Sequence, residues 1–187
     1  MVTIPSLWAP IMLGAVLVFV SSSVIHMFLS YHKKDFRQLK EEDDVMEALR
    51  EFHLEPGDYV MPYAGGMDVM NSDEFKAKVD RGPVAFFTVL KPGAMFNMGP
   101  QLAQWFAYSV LIGGVAAYVA GRTLAPGADY LEVFRLTGTV TFCCYALSLP
   151  QRSIWYKHNW AATGKSMFDG LVYAMLTAGA FGWLWPR

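Results

Sequence analysis

The sequence predicts an all-α membrane protein with four transmembrane helices and a cytoplasmic segment of roughly 70 residues between the first and the second. Hydrophobic residues make up 54% of the chain and charged residues only 17%. The apolar residues collect in four long runs, and most charges lie between the first two. These features indicate a first helix within residues 1–29, a polar segment over 30–101 and a three-helix transmembrane bundle over 102–187.

The first apolar run, Leu7 to Leu29, is long enough to cross about 30 Å of hydrocarbon. Its charged residues follow the apolar core instead of preceding it, so a retained helix is favoured over a cleaved signal peptide. Residues 30–101 and 151–165 together carry 12 of the 15 Lys and Arg residues. The positive-inside rule therefore predicts a multi-pass protein with these two segments cytoplasmic and both termini on the outer side of the membrane.

Short structured pieces are expected inside the polar segment. Periodicity predicts helices over Asp43–Phe52 and Ser72–Arg81, the second capped by Asn71, and an extended stretch over Tyr59–Gly66. The run VAFFTVL, at Val84 to Leu90, is too short to span and is predicted to lie on the membrane surface. Three aromatic side chains there are expected to point into lipid or neighbouring helices: Phe86, Phe87 and Phe96. With so few apolar positions, this segment predicts a weak core of its own.

Two of the predicted spans carry small residues at every fourth position, which allows the backbones of membrane helices to approach closely. The ladder of the second span consists of Gly113, Ala117 and Gly121. The ladder of the last span consists of Gly170, Ala174, Ala178 and Gly182. We expect the two ladders to pack against each other.

His26 is the one histidine inside an apolar run, four residues after Ser22. A small residue at that distance resembles the way antenna helices present a ligand to bacteriochlorophyll, and a haem ligand is the other specific reading. A bis-histidine haem site needs a second histidine facing the first, and none is expected. We therefore predict no cofactor, with His26 bonded to a carbonyl or headgroup near the membrane end, and keep pigment or haem at His26 as the alternative.

The charged residues near the span ends predict structural ion pairs. Glu132 and Arg135 stand three apart, and Lys165 and Asp169 four apart, which are pairing distances on a helix. No charged residue reaches the middle of a span, and no metal-ligand cluster or nucleophile–base pair has a recognisable spacing. We therefore predict no metal site and no catalytic residues. The net charge of −1 gives no reason to expect a nucleic-acid partner.

Three stretches together resemble an uncharacterised family of small bacterial inner-membrane proteins: SSSVIHM at 21–27, SIWY at 153–156 and KSMFDGLVYAMLTAGAFGWLWP at 165–186. The likeness covers nearly the whole chain. It implies four spans and a bacterial membrane, and it points to an accessory subunit of a photosynthetic reaction centre–light-harvesting complex.

From these features we expect a non-catalytic accessory subunit that scaffolds a larger bioenergetic complex of the inner membrane. Its partners would be other membrane-protein subunits and the lipid bilayer. The alternative is a small redox or quinone-linked membrane protein that uses His26 as a haem or pigment ligand or as a hydrogen-bond donor.

Overall fold

The computed structural model describes all residues from 1 to 187 and consists of two compact units. We call residues 1–37 with 98–187 the bundle unit, and residues 38–97 the hairpin unit. The elements in chain order are α1 (Trp8–Met27), α2 (Glu42–Glu51), β1 (Gly57–Met61), α3 (Met67–Met70), α4 (Asp73–Arg81), β2 (Ala85–Val89), α5 (Gly99–Thr123), α6 (Tyr130–Tyr145), α7 (Pro150–Tyr156) and α8 (Trp160–Trp183). Short 3-10 helices at Ile4–Leu7 and Tyr31–Lys34 flank α1.

The bundle unit is formed by α1, α5, α6 and α8, with α8 packed against both α6 and α1. Its neighbouring helices run antiparallel. The Val2 amide donates to the Gly121 carbonyl at 2.9 Å, which joins the start of α1 to the end of α5, and the Gly127 amide donates to the Pro186 carbonyl at 2.8 Å. Both chain termini therefore lie at one end of the bundle, as the sequence predicted. The opposite end carries the C-terminus of α1 and the N-terminus of α8.

The core of the bundle unit is apolar at the terminal end, around Leu7, Ala117 and Phe181. Thr137 and Thr141 are also fully buried. Each hydroxyl donates to the backbone carbonyl four residues earlier on α6, that of Val133 and that of Thr137. Because those bonds satisfy the hydroxyls within their own helix, α6 can present a small polar stripe to the interior at little cost.

Three residues of the α8 ladder, Gly170, Ala174 and Ala178, are buried, as predicted, and Gly182 is half-buried. The predicted partner of this ladder was wrong. A Cβ at Gly138 on α6 would stand 3.2 Å from the Cβ of Ala178, and a Cβ at Gly170 would stand 3.0 Å from the Cβ of Ala146. The α5 ladder instead faces α1, where a Cβ at Gly113 would stand 3.2 Å from Ile11. Each ladder thus packs against the helix beside it, because a stripe of small residues specifies a close approach but not which helix makes it.

Two helices are long and apolar enough to cross a membrane: residues Ile4–Met27 and Gly99–Thr123. The third predicted span, Tyr130 to Leu149, is shorter in the structure, because α6 ends at Tyr145 after 16 residues, about 24 Å. The helix α8 has 24 residues but is not one of these two candidate spans. The prediction of four spans therefore stays a prediction.

The chain is mostly helical, with 66% helix and 5% strand, which is consistent with the predicted all-α class, and its one small sheet lies in the hairpin unit. Strands β1 and β2 pair antiparallel in a register from Gly57 opposite Val89 to Met61 opposite Ala85. The VAFFTVL stretch is therefore strand β2 with its flanking residues, and its placement on the membrane surface stays a prediction. Along β2 the side chains alternate between more and less exposed, and the Phe87 ring stacks on Tyr59 with 5.5 Å between centroids. Aromatic and β-branched residues at a period of two favour this pairing.

The two predicted helices of the hairpin unit are confirmed as α2 and α4. The α4 cap is Ser72 and not Asn71, since the Ser72 hydroxyl accepts the Phe75 amide at 3.2 Å. No residue between 38 and 97 is buried. This agrees with the weak core expected from the composition.

Candidate functional site

The polar site begins where α1 ends. At that point the Phe28 amide donates to the Val24 carbonyl, and the chain then forms one 3-10 turn over Tyr31–Lys34. This turn brings Tyr31, His32 and Asp35 against the first half of α8. The basic stretch that follows α1, which the sequence predicted to be part of the cytoplasmic segment, therefore folds back onto the bundle.

Five side chains from the turn and α8 form one network of hydrogen bonds and ion pairs. His32 Nδ1 lies 2.5 Å from Asp35 Oδ2, and His32 Nε2 lies 2.8 Å from Asp169 Oδ2. Lys165 Nζ donates to Asp35 Oδ1 and to the Tyr31 carbonyl, both at 2.6 Å. The Tyr31 hydroxyl donates to the other Asp169 oxygen. Asp169 is buried, with 3% of its surface exposed, so this network is sheltered from solvent at its α8 side.

The predicted ion pairs are corrected at this point. Lys165 binds Asp35 and not Asp169, because the folded-back turn places Asp35 against Lys165 and His32 against Asp169. Glu132 and Arg135 are both exposed and form no ion pair. An exposed pair three residues apart gains little, since water and salt screen it.

The charges in the network fix the role of His32. The Lys165 ammonium, with His32, holds the pKa of the Asp35 carboxyl below its ordinary value, so Asp35 is an acceptor at neutral pH. His32 Nδ1 must then carry a hydrogen that it donates to Asp35. The other nitrogen, Nε2, lies 2.8 Å from the Asp169 carboxyl group, a contact that a hydrogen on either partner satisfies.

His26 completes a group of three possible metal ligands. The His26 and His32 rings lie 4.7 Å apart between centroids. Ligand atoms of His26, His32 and Asp169 all lie within 4.8 Å of one another. The close stacking of the two imidazoles leaves no room for a macrocycle between them, so this pair does not form the bis-histidine haem site considered from the sequence.

A cavity of about 490 Å³ opens beside this cluster in the bundle unit. His26, Asp169 and Tyr173 line its polar side, and Trp105 and Tyr145 form part of its aromatic wall. The Trp105 indole nitrogen donates to Ser22 Oγ at 2.9 Å, so the serine four residues before His26 holds a cavity wall in place. The volume falls within the range of small-molecule sites in proteins.

The Tyr173 hydroxyl is the one buried side-chain oxygen or nitrogen without a hydrogen-bond partner. Its side chain is 5% exposed and lies one turn after Asp169 on α8. The ring is held edge-on by Trp105 and Tyr145, at 5.8 and 5.6 Å between centroids. A buried hydroxyl without a partner costs about 1–3 kcal/mol, so a group that accepts its hydrogen bond would bind favourably here.

Comparisons with family models, with curated proteins and with solved structures find no match to this chain. The function therefore has to be argued from the site itself.

Sequence reasoning located His26 but missed His32, Asp35 and Tyr173. The spacing of six residues between His26 and His32 is not a recognised ligand spacing, and it becomes meaningful only because α1 ends at Met27. The partners on α8 are separated from the turn by 130 to 138 residues. No local pattern carries a pairing over that distance.

Proposed function

We propose that this protein is a four-span membrane protein that binds a lipid-soluble ring ligand of the quinone class in the cavity beside His26. The single observation that carries the proposal is the Tyr173 hydroxyl, which is buried at the cavity wall without a hydrogen-bond partner. A quinone carbonyl is an acceptor of the kind that this donor lacks.

The cavity walls suit such a ligand in shape and polarity. Its surface is predominantly apolar, with Leu102, Trp105 and Tyr145 among the lining residues. Aromatic side chains favour offset and edge-on contacts with a flat ring. His26 and Asp169 add polar groups to the lining, which would orient the ligand with a carbonyl towards Tyr173 or His26. Binding of this kind needs no catalytic residue, and we propose none.

The membrane placement rests on the outward surface of the bundle unit. Exposed side chains on its helices are largely apolar, including Val20 on α1, Leu111 on α5, Leu147 just after α6 and Leu171 on α8. Both termini lie at the same end of the bundle, as an even number of spans requires. With the excess of Lys and Arg in 30–101 and 151–165, this supports a bacterial inner-membrane protein with periplasmic termini.

The topology predicts that residue 72 is cytoplasmic. In intact cells, a single-cysteine variant carrying Ser72→Cys, with both native cysteines replaced by serine, should be protected from an impermeant thiol reagent until the membrane is opened. Thr3→Cys in the same background should react from outside. Labelling of residue 72 in sealed cells would contradict the topology.

The ligand proposal predicts opposite effects of one substitution on binding and on stability. Tyr173→Phe removes the hydroxyl and should raise the Kd of a short-chain benzoquinone about tenfold, the equivalent of about 1.4 kcal/mol. Because the hydroxyl is unpaired without ligand, the same change should leave the thermal stability of the ligand-free protein equal or higher. Tryptophan fluorescence quenching in nanodiscs measures the Kd, with Trp105 as the cavity reporter.

Tyr118→Phe is the matched control, since Tyr118 is exposed and does not line this cavity. It should change neither quantity. Unsaturable quinone binding, or equal Kd values for the wild type and Tyr173→Phe, would remove the ligand proposal.

A second candidate function follows from the hairpin unit. No residue between 38 and 97 is buried, although this unit has five secondary-structure elements. We propose on this ground that it is stabilised by other subunits, which is the role of an accessory subunit in a larger membrane complex. As the partner we propose a photosynthetic reaction centre–light-harvesting complex, the assembly expected from the sequence.

The accessory role predicts fast amide hydrogen exchange across residues 40–97 in the isolated chain. Protection should be confined to short helices and to the β1–β2 ladder, because small units without a core open easily. Protection in the same region should rise in protein purified natively with its co-migrating chains. Slow exchange throughout the isolated unit would show that it is self-sufficient, and would remove the support for this role.

A further inference from the structure

We propose that His26, His32 and Asp169 form a binding site for a divalent transition metal, zinc or ferrous iron, at the edge of the cavity. The proposal goes beyond the ligand site and does not depend on it. His32 does not line the cavity, and Tyr173 is not one of the three ligands.

The geometry of the three side chains is close to that of a loaded site. Metal bonds of about 2.0–2.2 Å to nitrogen and oxygen place neighbouring ligand atoms about 3.0–3.5 Å apart. His32 Nε2 and Asp169 Oδ2 lie 2.8 Å apart, so these two atoms must separate by a few tenths of an ångström to share a metal. Ligand atoms of all three residues lie within 4.8 Å of one another. His26 is exposed at the end of α1, so its side chain has room to rotate towards the other two.

His32 Nε2 and Asp169 Oδ2 face each other at 2.8 Å, so a proton or, after a small separation, a metal ion can join them. His32 Nδ1 faces Asp35, which leaves Nε2 as the ring atom directed at Asp169. A metal ion gains the additional imidazole of His26, which a proton does not need.

The surrounding groups are those that accompany metal ligands. A metal-bound histidine usually donates its second ring nitrogen to a carboxylate, which fixes the ring and raises its basicity. Asp35 provides that carboxylate at 2.5 Å and is itself held by Lys165 at 2.6 Å. The remaining Asp169 oxygen accepts from the Tyr31 hydroxyl, which orients the carboxylate. Two of the three ligands are thus oriented by a further side chain, His32 by Asp35 and Asp169 by Tyr31.

The ligand set selects the metal class. Two imidazoles and one carboxylate suit zinc and ferrous iron, whereas magnesium and calcium prefer oxygen ligands and copper(I) prefers sulfur. Three protein ligands leave at least one coordination position open. That position would lie on the side of His26 and Asp169 that lines the cavity.

The test uses the full chain purified in nanodiscs with an affinity tag free of histidine. After treatment with a chelator, the protein should bind one equivalent of Zn²⁺ or, without oxygen, Fe²⁺ in calorimetric titration, and should not bind Mg²⁺. His32→Ala should abolish stoichiometric binding. Asp35→Asn should weaken it about 10- to 100-fold, because it removes the carboxylate behind His32.

His53→Ala is the matched control, since His53 is an exposed histidine of the hairpin unit that bonds only the nearby Glu51 carbonyl. Its binding should equal that of the wild type. If His32→Ala does not fold, X-ray absorption of the zinc-loaded wild type decides. Two imidazoles with an oxygen ligand would support the site, and any other ligand set would overturn it. The proposal would be overturned if the wild type bound no metal stoichiometrically, or if His32→Ala bound it as well as the wild type does. Either result would show that a proton fills the His32–Asp169 contact.

Discussion

Ala178→Leu should destabilise the bundle unit by about 3 kcal/mol. The Ala178 side chain is fully buried where α8 meets α6 at Gly138. A leucine there needs space that the two backbones occupy, so the helices must separate or the side chain must leave its preferred rotamer. The measurement is the unfolding free energy in mild detergent titrated with sodium dodecyl sulfate.

Met175→Leu is the control for this substitution. Met175 lies on the same helix but is 46% exposed, and leucine has a similar volume. Its unfolding free energy should change by less than about 0.5 kcal/mol. Unfolding free energies equal to that of the wild type for both variants would contradict the close packing of α6 against α8.

Asp169→Ala should have an effect of similar or greater size, about 3–5 kcal/mol. Asp169 is buried, accepts a hydrogen bond from Tyr31 and lies 2.8 Å from His32 Nε2. Its removal leaves the hydroxyl and the imidazole without their partner in a sheltered place, and breaking a buried pair from one side is strongly destabilising. Unfolding should be followed in the presence of a chelator, so that metal binding does not contribute.

Asp169→Asn should fall between the wild type and the alanine variant, because the amide keeps an acceptor oxygen but loses the charge. Asp129→Ala is the control, since Asp129 is exposed and its side chain makes no capping bond at the start of α6. It should be nearly neutral. A fall in stability no larger for Asp169→Ala than for Asp129→Ala would mean that the network contributes nothing.

The sequence predicted the parts of this fold that depend on local composition. The apolar runs located the four long helices, and the four-residue spacing of Gly170, Ala174 and Ala178 correctly predicted a buried face. The partner of that face was missed, because α5 and α6 offer similar small residues and only the tertiary arrangement decides between them. Strand β2 was missed for a related reason, since VAFFTVL is apolar at most positions and its partner β1 lies about thirty residues earlier.

The candidate site was predictable only in part. His26 stood out because a histidine is rare in an apolar run. The pairing of Lys165 with Asp169 followed from helical spacing, but that spacing permits a contact without requiring it. The turn at Tyr31–Lys34 offered both residues better partners. A hydrogen bond over 130 residues or more depends on the whole bundle, which no window of sequence contains.

The long separation between the two halves of the polar network has a consequence for synthesis of the protein. The turn that carries His32 and Asp35 leaves the ribosome early, while Lys165 and Asp169 emerge with the last helix. Until then the turn has neither its cation nor its second carboxylate, and α1 lacks one of the two helices against which it packs. Contacts so distant in the chain form late. The network is therefore completed only once α8 has been made, so a chain truncated before α8 leaves His32 and Asp35 without Lys165 and Asp169.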